Sequence, residues 1–179
     1  VGTGNFLLFA GGSHSLGGTV NAAGTGTVQF TTSGTINLDP GVALSDTGGK
    51  YQIQGSAPTV SVNTPVTVGR LDWTVGTIRG ASALTVNNTL NLNAGGLKTV
   101  DGGTLINTAT ANNNDANLTL GNGGAFVNQA GATFNMLVTG NVLSGAGTGQ
   151  HFDNFGTLLK TGALSTIATA FSNTGSVAV

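Results

Sequence analysis

Apolar residues along this chain fall in short alternating pairs: Val28 and Phe30, Ile36 and Leu38, Tyr51 and Ile53, Val60 and Val62, then Val66 and Val68. The series continues with Leu71 and Trp73, Leu84 and Val86, Leu90 and Leu92, Leu118 and Leu120, and Val177 and Val179. Each pair brackets a polar residue, which is the side-chain period of a half-buried β-strand. Helix is disfavoured throughout, because the 31 Gly are poor helix formers and the 28 Thr are β-branched. Between the pairs lie Gly, Asn, Asp and Ser, which bend the chain or tolerate left-handed backbone. The pattern predicts many very short strands joined by close turns.

A repeat organises these strands. The segment from Leu97 through Asp101-Gly102-Gly103 to Asn107 matches the segment from Leu118 through Asn122-Gly123-Gly124 to Asn128 at an offset of 21 residues. Looser copies of the strand and turn occur at Ile36 to Gly41 and Leu90 to Gly95. Phe152-Asp153-Asn154-Phe155-Gly156-Thr157-Leu158 and Phe171-Ser172-Asn173-Thr174-Gly175-Ser176-Val177 repeat a related motif. Variable spacing around a mean in the low twenties fits a parallel solenoid, in which strands stay in register while turns change length. The expected fold is all-β: one right-handed parallel β-helix over residues 1–179 of about eight rungs, with its clearest repeats over 84–179. At the usual strand spacing such a stack is roughly 40 Å long. The alternative architecture is an antiparallel β-sandwich.

In a parallel stack, like residues lie over like. Asn107, Asn128, Asn154 and Asn173 are therefore candidates for an Asn ladder, with amides bonding along the axis, and Phe126, Phe152 and Phe171 for an internal aromatic stack. The Phe-x-Asn-x-Gly-Thr/Ser-Leu/Val motif at Phe152 to Leu158 and Phe171 to Val177, with Gly-Gly-x-Leu/Phe-x-Asn at Gly102 to Asn107 and Gly123 to Asn128, resembles the β-strand repeats of large bacterial surface proteins. These include adhesins and autotransporter-passenger-like solenoids. The resemblance implies export and an extracellular or cell-surface role of a structural or adhesive kind, with surface glycans among the partners.

Charge changes this picture mainly by its scarcity. Three Lys, two Arg, six Asp and no Glu give a formal net charge of −1, whereas a nucleic-acid binder needs a basic face for phosphates. No apolar run approaches the roughly 18 residues of a membrane helix. Cys is absent, so neither a disulfide framework nor a thiolate metal site is expected. Several parallel β-helices degrade polysaccharides with clustered carboxylates, but Asp39, Asp46, Asp72, Asp101, Asp115 and Asp153 are widely spread. Arg70 and Asp72 should point outward while Leu71 and Trp73 point in, which makes Asp72 the best candidate for a polar face and a surface ion pair its simplest reading. His151 and Asp153 alternate on one strand without a marked nucleophile, His14 sits alone, and the Asn112 to Asp115 run reads as a protruding turn. The expectation is a non-catalytic protein with no cofactor or metal.

Neither end carries a charged cap. Phe6, Leu7, Leu8 and Phe9 at one end and Phe171, Val177 and Val179 at the other are the candidates for an end-to-end interface. The expected partner is a second copy in a head-to-tail filament, or neighbouring repeats of a longer chain.

Overall fold

The computed structural model describes residues 2, 4–114, 116–137 and 139–179. Every pairing between its strands is parallel, and the chain winds as a three-sided solenoid whose strands return to the same face once per coil. Face A stacks Phe6–Phe9, Thr27–Phe30, Lys50–Ile53, 70–73, 89–93, Thr110–Asn114, Thr133–Leu137, Thr157–Thr161 and Ser176–Ala178. Face B runs from His14–Leu16 to Ile167–Ala168, and face C from Thr19–Ala23 to Ala170–Asn173. Among the described residues this makes eight three-sided rungs plus the face A strand of a ninth. The β-sandwich alternative is excluded by the parallel register.

Coil length varies as a solenoid permits. Leu71 stacks beneath Leu90, Ala111, Phe134, Leu158 and Val177, so successive coils take 19, 21, 23, 24 and 19 residues. The length differences are absorbed at the corners. At two of them the chain simply bends, and the long strands Val66–Trp73 and Ala83–Asn93 each run from face C of one rung to face A of the next. The alternating apolar residues point inward from all three faces into one continuous core. Trp73, Tyr51, Phe126, Phe134 and Phe152 are its largest members. Phe126 and Phe152 lie 5.2 Å apart and Phe152 and Phe171 5.0 Å apart, while Phe134 packs edge-on from face A against the first two rings.

Face C is interrupted once. Thr19–Ala23 and Ala43–Thr47 form a separate two-stranded sheet, and the next strand on that face pairs only with later rungs. At this break the Asp46 carboxylate accepts the backbone N–H of Arg70 at 2.8 Å and fills the space that a side chain at Gly69 would need. The Tyr51 hydroxyl reaches the carbonyls of Val20 and Ser45 at 2.6 and 2.9 Å, and burial pushes its pKa above the ordinary phenol value.

Two sequence-based readings are corrected here. The 21-residue offset holds after the Gly-Gly turns, where Leu105 stacks on Phe126 and Asn107 on Asn128. Before them the register is 20, with Lys98 on Leu118 and Val100 on Leu120, because the second turn carries one residue more. A slip of one residue exchanges the faces of a strand, so Leu97 is left exposed and Lys98 points into the core. Within the Asn112 to Asp115 run, the described residues 112–114 likewise form no protruding turn. Thr110–Asn114 is a face A strand in which Asn113 is buried, its Oδ1 accepting from the Ala116 N–H at 3.1 Å; Asp115 lies outside the described residues.

Lys98 is thus a cation at an apolar position. Its register partner in the preceding rung is Gly76, and its Nζ donates to the Gly96 carbonyl at 3.0 Å beside a cleft lined by Gly95, Leu97, Ala116 and Asn117. Burial disfavours the ammonium, so its pKa lies below the ordinary lysine value. A lowered lysine pKa costs stability while the group is protonated in both states, and the cost fades as pH rises from the folded value to the unfolded value of about 10.4. Lys98→Met is therefore expected to raise stability by about 1 kcal/mol at pH 7, in denaturant titrations, with the gain shrinking as pH approaches the unfolded value of about 10.4. A gain that stays constant up to pH ~11 would contradict the burial penalty.

Candidate functional site

The polar chemistry of the molecule is concentrated in side-chain ladders that run along the axis. Asn107, Asn128 and Asn154 end successive face C strands and are buried, with Asn173 on the last of these. Nδ2 of Asn107 donates to Oδ1 of Asn128 at 2.8 Å, Asn128 to Asn154 at 2.7 Å, and Asn154 to Asn173 at 2.6 Å. The first three amides also donate to a backbone carbonyl of the following coil: Thr133 at 3.0 Å, Thr157 at 3.1 Å and Ser176 at 3.1 Å. The ladder starts at Asn107 because the residue stacked before it is Val86, and Asn107 Oδ1 accepts instead from the Ala109 N–H.

Close stacking explains the glycine in the motif. A side chain at Gly156 would collide with the Ala132 carbonyl, and one at Gly175 with the Gly156 carbonyl. At these two corners a side chain has no room, whereas the corresponding corners after Asn107 and Asn128 carry Ala109 and Ala132.

A second ladder lies on the outside of face A, and sequence reasoning missed it apart from Asp72. Gln29 donates to Gln52 at 2.7 Å, and Gln52 to Asp72 at 3.4 Å. From the other side Asn135 donates to Asn112 at 2.9 Å, Asn112 to Asn91 at 3.0 Å, and Asn91 to Asp72 at 2.8 Å. Donation runs toward Asp72 from both directions, since an ionised carboxylate only accepts and so orients every amide linked to it. Lys50 completes the junction at 2.6 Å. Burial works to raise the Asp72 pKa, but the hydrogen bonds from Lys50, Asn91 and Gln52 and the charge of Lys50 outweigh it, and the carboxyl stays below its ordinary value. The signal available in the sequence was an outward polar residue at each coil interval, hidden by its change of identity from Gln to Asp to Asn. Face B carries a further outward column, in which Thr35, Thr59, Thr77, Thr99 and Thr119 stack in register.

The other candidate residues are scattered. Arg70 is exposed and donates to the Gly48 carbonyl at 2.5 Å, so its partner is backbone rather than Asp72. His151 lies 3.5 Å from Asp153, with its Nδ1 at 3.0 Å from the Gly149 carbonyl, and the His14 ring meets the Gly11 carbonyl. Asp39 and Asp101 accept from Asn63 and Asn122. No group of three or more His, Asp or Glu is gathered in metal-binding geometry among the described residues. At the ends, Phe171 and Val177 are exposed on the last strands of faces C and A. The Phe6–Phe9 segment divides by alternation: Leu7 and Phe9 stack on the inward Val28 and Phe30, while Phe6 and Leu8 face outward. Val179 is exposed beyond the last strand.

No protein-family model, curated protein or solved structure matches the chain.

Asn128 lies inside the ladder and Asn173 at its end, which separates a satisfied amide from an open one. Asn128→Ala takes from Asn107 one of its two ladder acceptors and leaves the Asn154 Oδ1 and the Thr157 carbonyl without their donor, so it is expected to cost about 2–4 kcal/mol. Asn173→Ala should cost less than about 1 kcal/mol. Equal losses for the two variants in urea titrations would contradict the ladder's interior role.

Proposed function

We propose that this chain is a non-catalytic structural element of a bacterial cell-surface or extracellular protein, a rigid stalk or fibre segment built by stacking rungs. The observation that carries this reading is the Asn107 to Asn173 ladder, which spends buried amide groups on holding one coil to the next. Two of its members, Asn154 and Asn173, lie in the Phe-x-Asn-x-Gly motif, the feature that resembles bacterial surface repeats. Asp72 supports the same reading. A glycosidic general acid must hold a proton near neutral pH, whereas this carboxylate is kept ionised and its oxygens are occupied by Lys50, Gln52 and Asn91.

The rungs at both ends have unpaired strand edges beside exposed Phe6, Leu8, Phe171 and Val177. Open edges of this kind add further strands. Neighbouring repeats of a longer chain or a second copy would continue the stack.

An antibody against the folded chain, applied to intact and permeabilised cells of the native host, tests the placement. Staining of intact cells is expected; staining only after permeabilisation would contradict an external role. Incubation with acidic and neutral polysaccharides tests the chemistry, and cleavage abolished by Asp72→Ala would replace the structural reading with an enzymatic one.

A further inference from the structure

The interior ladder has a direction. Each of Asn107, Asn128 and Asn154 donates to two acceptors from the coil that follows it: the Oδ1 of the next Asn and a backbone carbonyl at the start of a face A strand. Asn173 repeats the position without that coil. Its Oδ1 is taken by Asn154, while its Nδ2 meets only the Gly175 carbonyl, at 3.3 Å. Beside it, Phe171 packs on Phe152 with one side of its ring and is exposed on the other. The end of face C therefore shows an amide donor and an aromatic ring at the spacing of residues i and i+2.

We propose that this end is a selective acceptor for one kind of partner: a parallel strand bearing Phe-x-Asn-x-Gly. Its Asn Oδ1 would accept from Asn173, its Phe would stack on Phe171, and its Gly would repeat the tight corner in which a side chain has no room at 156 and 175. The first rung of a second copy does not meet this description. Its first face C strand, Thr19–Ala23, has neither Phe nor the Phe-x-Asn-x-Gly motif, so head-to-tail pairing would supply no ring for Phe171 and no Asn of that motif to accept from Asn173. The partner is a repeat of the C-terminal type. This deepens the structural reading above and rests on it only for the premise that rungs add at the open edge.

The register specifies the test. Because Ser176–Ala178 stacks on residues 157–159, a copy of residues 160–175 attached after Ala178 supplies the next coil. In one version the copy is unchanged, and in the other Phe171→Val and Asn173→Ala are made in the copy alone. Hydrogen exchange of the Asn173 side-chain amide in the full extended chain is expected to slow about tenfold or more with the unchanged copy and to stay near its original rate with the altered one. Equal slowing in both versions, or slowing in neither, overturns the proposal. The unextended chain should sediment as a monomer over a wide concentration range. Rods that lengthen with concentration would mean that rung 1 fills the site and would equally overturn it. Neither readout depends on where the protein resides, so a failed surface-staining result and a failed extension result are distinguishable.

Discussion

Parallel hydrogen bonding between successive coils is the constraint on which the rest of this structure depends. Once the backbone of one rung pairs in register with the next, every side chain has its counterpart about 4.8 Å along the axis. Apolar residues profit from that arrangement and like charges do not. The composition follows: inward positions are Val, Ile, Leu and Phe, outward ones Thr, Asn and Gln, and the few charges are spaced so that they rarely stack on their own sign. Lys50 and Arg70, cations on adjacent rungs that line one cleft, turn to different partners, Lys50 to Asp72 and Arg70 to the Gly48 carbonyl.

Neutral amides suit such a stack because each is both donor and acceptor and can be linked indefinitely along one direction. The two ladders show the two ways of fixing that direction. Inside face C the chain of amides runs from Asn107 toward Asn173, ending in an open donor. On the outside of face A the Asp72 carboxylate, which accepts only, draws donors from both sides. A single ionised group thereby organises six rungs of otherwise neutral side chains, from Gln29 to Asn135.

The architecture was legible in the sequence because two periods coincide, alternation within strands and a coil length near 21 residues. The Asn and Phe positions were legible because the Gly two residues beyond each late Asn marks a corner where rungs touch, as at Gly156 and Gly175. Other features were hidden for identifiable reasons. One extra residue in the turn after Gly121 hides the register change that places Lys98 inside. The Asn112 to Asn114 segment has the composition of a turn, yet hydrogen bonds to Asn91, Asn93 and Asn135 hold it as a strand. The outward ladder mixes Gln, Asp and Asn, so identity at a fixed spacing could not reveal it. Position in the stack, more than residue type, decides what each polar group does.

The stacking itself is most directly tested along face B, where Thr35, Thr59, Thr77, Thr99 and Thr119 occupy consecutive rungs in a chain that contains no Cys. Spin labels placed in pairs, Thr35→Cys with each of the other four in turn, report the separations by electron paramagnetic resonance. A parallel solenoid predicts separations that grow by a near-constant step of about 4.8 Å per rung, reaching roughly 19 Å for the last pair. Separations that do not increase in order along the four pairs would contradict the stack and everything derived from it.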